Sequence, residues 1–186
     1  MAKDAKKKVH YINNKEFSHA VVDYVTLANK AKEEEKPIPI VTDYIATCFI
    51  KISEGLSHRP NFIRYTYRDE MVMDAVENCL RAINNYKIET ATRTGKPNAF
   101  SYFTQICYFA FIRRIQKEKK QLYIKYKTMD TFGALGDNVE VSDHDKGHYD
   151  YNTLSTDQKA NMYDFIKNFE EAKKAKSVTK KPTKTT

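Results

Sequence analysis

AFSYFTQICYFAFIRRIQKEKKQLYIKYK, residues 99 to 127, is the stretch on which the fold turns. It reads as one long helix whose first half holds more aromatics than a single buried face needs. Phe100, Tyr102, Phe103, Tyr108, Phe109 and Phe111 spread around most of the cylinder, because residues two or three apart cannot all share one side. Arg113, Arg114, Lys117, Lys119, Lys120, Lys125 and Lys127 follow at once. Aromatic platforms succeeded by cations suit a protein that holds unstacked bases and their phosphates. A buried helix with a solvated basic end is the competing account.

Working outward, three more helices precede this one and one follows it. Phe17, Ala20, Val21, Tyr24, Leu27 and Ala28 recur at three and four, predicting an amphipathic helix from Asn14 to Lys32 that stops at the charged loop Lys32 to Pro39. Thr42 is placed to cap a second helix through its hydroxyl, with Ile45, Cys48, Phe49 and Ile52 as its stripe and Gly55 at its exit. Pro60 marks Ser57 to Tyr67 as a connection. Arg68 to Tyr86 forms a third helix with a seam of Val72, Val76, Cys79, Ile83 and Tyr86 and an outer face carrying Asp69, Glu70, Asp74 and Glu77. A loop from Lys87 to Pro97 leads to Asn98, a cap for the aromatic helix. Beyond Thr128 the periodicity gives way to an acidic, Gly-containing stretch, and a last helix from Thr156 to Lys174 carries Met162, Phe165, Ile166 and Phe169.

Five glycines and five prolines in 186 residues leave too few turns for an all-β chain, and 41% hydrophobic content supports one modest core. The net charge of +8 favours a polyanionic partner, although 24 acidic residues make the excess local. Cys48, Cys79 and Cys107 lie in apolar runs with no CxxC or Cys/His spacing, so they read as small buried hydrophobes in a reducing compartment. With no apolar run of the ~18 residues that span a bilayer and no hydrophobic leader, a soluble, intracellular protein is expected.

Catalytic signatures are missing: the chain has no Gly-rich phosphate loop, no HExxH and no GxSxG, and the expectation is a non-enzyme. The carboxylates of the third helix are spaced as a solvated face. His144 and His148 beside Asp143 and Asp145 read as a polar surface loop rather than a metal site, so no metal or other cofactor is expected.

The stretch from Ile45 to Lys127 resembles the core of bacterial sigma factors, the region that grips RNA polymerase and melts the promoter −10 element. RDEMVMDAVENCLRAINNYKI, Arg68 to Ile88, is similar to the polymerase-docking motif, with Glu70, Asp74, Leu80, Ala82 and Tyr86 at matching or similar positions. AFSYFTQICYFAFIRRI, Ala99 to Ile115, is similar to the promoter-melting motif when Tyr102, Thr104 and Ala110 are aligned. NNKEF near Asn13, SEGLSHRPNF from Ser53, DEMVMDAVEN and NAFSYFTQICYFAFIRRIQKEKK together look like the late-promoter sigma factors of T-even-type phages, over most of residues 11 to 127.

The resemblance implies an all-α, compact helical domain like sigma region 2, with flexible N- and C-terminal tails. Its implied plan is a basic arm at 1–10, the helical domain at 11–127, an acidic loop-rich segment at 128–155, a possible partner-binding helix at 156–175 and a Lys/Thr tail at 176–186. Glu70, Met73, Asp74, Glu77 and Leu80 would dock on the β′ clamp helices of core RNA polymerase. Phe100, Ser101, Tyr102, Gln105, Tyr108 and Phe109 would take the bases of the −10 element, and Arg113, Arg114, Lys117 and Lys120 the phosphates of promoter DNA. The chain has no tryptophan, and Gln105 and Ile106 stand where primary sigma factors carry an adjacent Trp pair, implying AT-rich late promoters and help from an activator. No −35-reading module is expected after Thr128. Tyr163, Asp164, Phe165, Ile166, Phe169 and Glu170 resemble in chemistry a sliding-clamp epitope, beside a separate flap-binding coactivator, while a helix packed on the core explains the same residues. Location in the cytoplasm of an infected bacterial cell follows from the resemblance. A general helical single-stranded nucleic-acid-binding protein and a structural helical adaptor are the other two readings.

Overall fold

A computed structural model describes residues 12–87, 98–132, 135 and 154–178. The chain is all-α: α1 (Asn14–Glu33), α2 (Asp43–Ser57), α3 (Arg68–Ala82), a 3₁₀ turn (Ile83–Asn85), α4 (Ala99–Thr131) and α5 (Thr156–Val178). There is no strand among the described residues. The basic arm, the loop after Lys87, most of the acidic segment with His144 and His148, and the end of the Lys/Thr tail lie outside the described residues. The chain forms two compact units, Met1–Ile115 and Gln116–Thr186, so α4 contributes to both.

In the first unit α1 begins where Asn13 Oδ1 accepts the Lys15 amide at 3.1 Å. Its buried line is Phe17, Val21, Tyr24, Val25 and Ala28, whereas Leu27, expected inside, stays 58% exposed. The helix ends in a Schellman motif: Lys36 N–H donates to the Ala31 carbonyl at 2.8 Å and Glu35 N–H to Lys32 at 3.3 Å. Glu35 sits at φ 52°, a left-handed position that glycine fills at least cost.

Three expectations for α2 and α3 need correction. Thr42 stands at the N-cap of α2 with extended dihedrals, but its side chain makes no capping bond. Gly55 does not end α2; the helix runs on to Ser57, where Ser57 Oγ and His58 Nδ1 donate to the Glu54 carbonyl at 2.8 and 2.7 Å. The buried seam of α3 is Met71, Ala75 and Cys79, continued by Ile83 and Tyr86, with Val72 and Val76 half-buried beside it. The seam keeps a strict four-residue step back from Ile83. A pattern weighted toward β-branched residues instead picks out the flanking valines.

The core of this unit forms where α1, α2 and α4 each present a phenylalanine. Phe17, Phe49 and Phe103 are fully buried, with ring centroids 6.0, 5.9 and 4.5 Å apart. Phe62, from the turn after α2, meets Phe111 edge-on at 5.1 Å. Three small side chains let α2, α3 and α4 approach one another: Ser53 Oγ lies 3.4 Å from Cys107 Sγ, which lies 3.5 Å from Cys79 Sγ, and all three are fully buried. Their hydroxyl is satisfied locally, since Ser53 Oγ donates to the Phe49 carbonyl at 2.9 Å. The expected Asn98 cap is present, its Oδ1 accepting the Ser101 amide at 3.0 Å, and Ser18 Oγ of α1 accepts the Ala99 amide at 3.3 Å.

In the second unit α4 continues to Thr131, four residues past the end read from the sequence, and pairs with α5. Tyr123 stacks on Phe169 at 4.5 Å and Tyr126 meets Phe165 edge-on at 5.6 Å. α5 opens with a capping box, in which Ser155 N–H donates to Gln158 Oε1 (2.9 Å) and Gln158 N–H to Ser155 Oγ (3.3 Å). Met162, Phe165, Ile166 and Phe169 are its shielded stripe, as the spacing predicts.

Candidate nucleic-acid interface

The first half of α4 places Phe103, Cys107 and Phe111 in the core, which turns Ser101, Gln105, Tyr108 and Phe109 outward. Half-buried Phe100 and Thr104 lie beside them. With Leu56 and Arg59 these six residues line an open groove of about 420 Å³. Tyr108 is held from below, edge-on to Phe62 at 5.7 Å and to Phe109 at 5.8 Å. Its ring is therefore oriented even though the residue is 41% exposed. The Thr104 hydroxyl is committed to the Phe100 carbonyl at 2.7 Å, leaving the Gln105 amide and Ser101 hydroxyl as polar groups at the surface.

Arg59 reaches the groove from the turn that follows α2. That turn is closely bonded: Arg59 N–H donates to the Leu56 carbonyl at 3.1 Å, and the Arg59 carbonyl accepts from Phe62 and Ile63 at 2.8 and 3.0 Å. The same turn thus carries the cation and seats Phe62 under Tyr108. Sequence reasoning missed Arg59 because it lies far along the chain from the aromatic helix; only its position in SEGLSHRPNF hinted at a role.

Five of the six residues expected to take bases share this groove: Phe100, Ser101, Gln105, Tyr108 and Phe109. Tyr102 does not line it. It packs edge-on against Tyr86 at 5.1 Å and Phe103 at 5.0 Å, and burial pushes its phenol above the ordinary value.

The residues expected to dock on polymerase share one side of α3. Glu70 and Glu77 are exposed, Met73 is 66% exposed and Leu80 38%, an unusual showing of apolar surface on a helix that also buries a seam. Glu77 pairs with Arg81 one turn on. Asp74 is occupied differently: its carboxylate pairs with Arg114 at 3.2 Å, and the two side chains are 35% and 17% exposed. Two residues assigned from the sequence to different partners thus meet each other. Arg113, next along α4, donates instead to Asn78 Oδ1 at 2.7 Å.

In the second unit Lys117 and Lys120 are exposed. Of the candidate sliding-clamp residues, Ile166 is buried and Phe165 and Phe169 pack on the tyrosines of α4, while Tyr163 remains 43% exposed. Glu170 accepts from Tyr123 at 3.0 Å and lies 3.9 Å from Lys127.

Among the described residues no three His, Cys, Asp or Glu side chains cluster to hold a metal, and no helix is long and apolar enough to cross a membrane. The groove offers aromatic faces, an amide able to donate and accept, a hydroxyl and a guanidinium. Such a set can stack on a flat ring, bond its edge and neutralise an attached anion. Compared with known protein families and with curated proteins, the chain matches none.

Proposed function

We propose that this chain is a transcription initiation factor of the sigma type, acting at phage late promoters. It binds core RNA polymerase through the outer side of α3 and holds unstacked bases of an AT-rich −10 element in the α4 groove. The observation that carries the reading is the groove itself: Phe100, Ser101, Gln105, Tyr108 and Phe109, named from the motif resemblance, line one open surface with Arg59. A chain that needed these aromatics only for its core would have turned Tyr108 and Phe109 inward.

The α3 face supports the polymerase part of the reading. Exposed Met73 and Leu80 alternate with Glu70 and Glu77 along α3 and make an apolar strip with acidic groups beside it, suited to a basic docking helix. The acidic rim steers and registers the encounter, and the apolar strip supplies contact area. Promoter choice would rest on the −10 element held in the groove. A flap-binding coactivator would assist initiation, and a sliding clamp would engage α5 where Tyr163 is exposed.

The test is initiation by core RNA polymerase on a template with an AT-rich −10 element, read by permanganate footprinting of the melted bases. Wild-type chain is expected to produce a transcript and a footprint. Tyr108→Ala and Phe109→Ala should weaken the footprint by ~1–3 kcal/mol per stacked base while polymerase retention and thermal stability hold. Single-strand binding without retention on polymerase would favour the general nucleic-acid-binding reading instead.

A further inference from the structure

Two adjacent arginines of α4 have different neighbours on α3, and the difference separates their roles. Arg114 faces the Asp74 carboxylate at 3.2 Å and is 17% exposed, so its charge is balanced within the fold. Arg113 is exposed and donates to the Asn78 amide oxygen at 2.7 Å, a neutral acceptor that leaves the guanidinium charge uncompensated. Asn78 is itself fixed at its other end, because its Nδ2 donates to the Asp74 carbonyl at 2.6 Å. The amide therefore presents its oxygen to Arg113 in one orientation.

We infer that Arg113 is the guanidinium that binds a backbone phosphate of the captured strand and that Asn78 is its positioning residue. This rests on the initiation-factor reading above and goes beyond it by selecting one cation and naming the group that aims it. Arg113 stands one turn beyond Phe109 of the groove on α4, the neighbouring position on a helix surface. A guanidinium has more donors than one amide oxygen can use, so N–H groups remain for phosphate while the side chain is held. Holding it beforehand reduces the ordering cost of binding.

The experiment measures binding of the full chain with core polymerase to a labelled, premelted AT-rich template across a salt series, with core polymerase alone as baseline. Arg113→Gln should lower the slope of log K against log salt by about one, the signature of a lost phosphate contact. Asn78→Asp keeps an acceptor for Arg113 but balances its charge, and should lower the slope by the same amount. The double variant should fall no further than Arg113→Gln alone. Asn78→Ala should weaken binding several-fold with the slope intact, because the cation is still present but no longer aimed.

An unchanged slope in Arg113→Gln, whose side chain is exposed and whose loss spares the core, overturns the assignment while leaving the groove reading in place. A further fall in the double variant, or no effect of Asn78→Ala, overturns the positioning role. Wild-type binding no better than core polymerase alone would sink the initiation-factor reading, and this inference with it.

Discussion

The two halves of α4 show the same helix packed in two ways. Residues 99 to 115 meet neighbours from α1, α2 and α3, and Phe103, Cys107 and Phe111 lose all contact with solvent. Residues 116 to 131 pair with α5, and their aromatics Tyr123 and Tyr126 remain half-buried. The chemistry follows the packing. In the first unit Tyr24, Tyr86 and Tyr102 have phenols pushed up by burial, whereas Tyr123 in the second is pushed up chiefly by its bond to Glu170. Aromatic density alone therefore says little about burial; the number of neighbours around the helix decides it.

Matched truncations should make the contrast largest. Phe103→Ala removes a ring touching Phe17, Phe49, Tyr86 and Tyr102, and should cost ~3–5 kcal/mol, enough to unfold much of the first unit. Phe169→Ala removes a half-exposed stack and should cost about 1–2 kcal/mol. Denaturant melts of the two variants, followed by helicity, check this. Equal losses would break the comparison.

Alkali should separate the halves by a smaller margin, the first weakening from a lower pH than the second, where the raised groups Tyr123 and Lys127 start from 10.0 and 10.5. Burial raises the Cys48 thiol from its ordinary 9.0 and the Tyr24, Tyr86 and Tyr102 phenols from 10.0. Above those values the unfolded chain has released protons that the folded chain still holds, so the slope of unfolding free energy with pH is negative. The stabilisation is complete below about pH 9 and falls as pH rises through 9 and then 10. Thermal melts at pH 8 and above 10 should show the first unit weakening. A flat profile would mean these groups are no drier than in the unfolded chain.

The smallest effect concerns backbone rather than side chains. Glu35→Gly should relieve the left-handed residue at the end of α1 and change stability by no more than about 1 kcal/mol, in the stabilising direction. A loss instead of a gain would show that the Glu35 side chain, not its backbone, closes α1. Compared with Phe103→Ala, this variant bounds how little of the first unit's stability resides in its turns.

Much of this was legible in the sequence because helix periodicity reports burial directly. The all-α class, the Asn98 cap, the α5 stripe and the grouping of five groove residues all follow from spacing or from motif resemblance. The seam of α3 was displaced because Met71 and Ala75 carry weaker apolar signals than Val72 and Val76, although the line from Ile83 runs through them. Tyr102 lies apart from the other five for a different reason: a motif aligns residue types, while Tyr86 on the neighbouring turn decides which way the ring packs. Arg59 and the pairing of Arg114 with Asp74 depend on contacts between distant segments, which no periodicity encodes.

The close meeting of Ser53, Cys79 and Cys107 has a practical consequence for following this protein at work. Those two thiols and Cys48 are the chain's full complement of three, and all are buried. Reaction with an electrophile needs an accessible thiolate: the bond to Cys107 and burial keep Cys79 protonated, burial does the same for Cys48, and Cys107, which its bond to Cys79 lowers, is fully buried out of reach of reagent. A fluorophore attached through Ser101→Cys would therefore report from the rim of the groove in an otherwise native background, without first stripping the cysteines that let three helices come together.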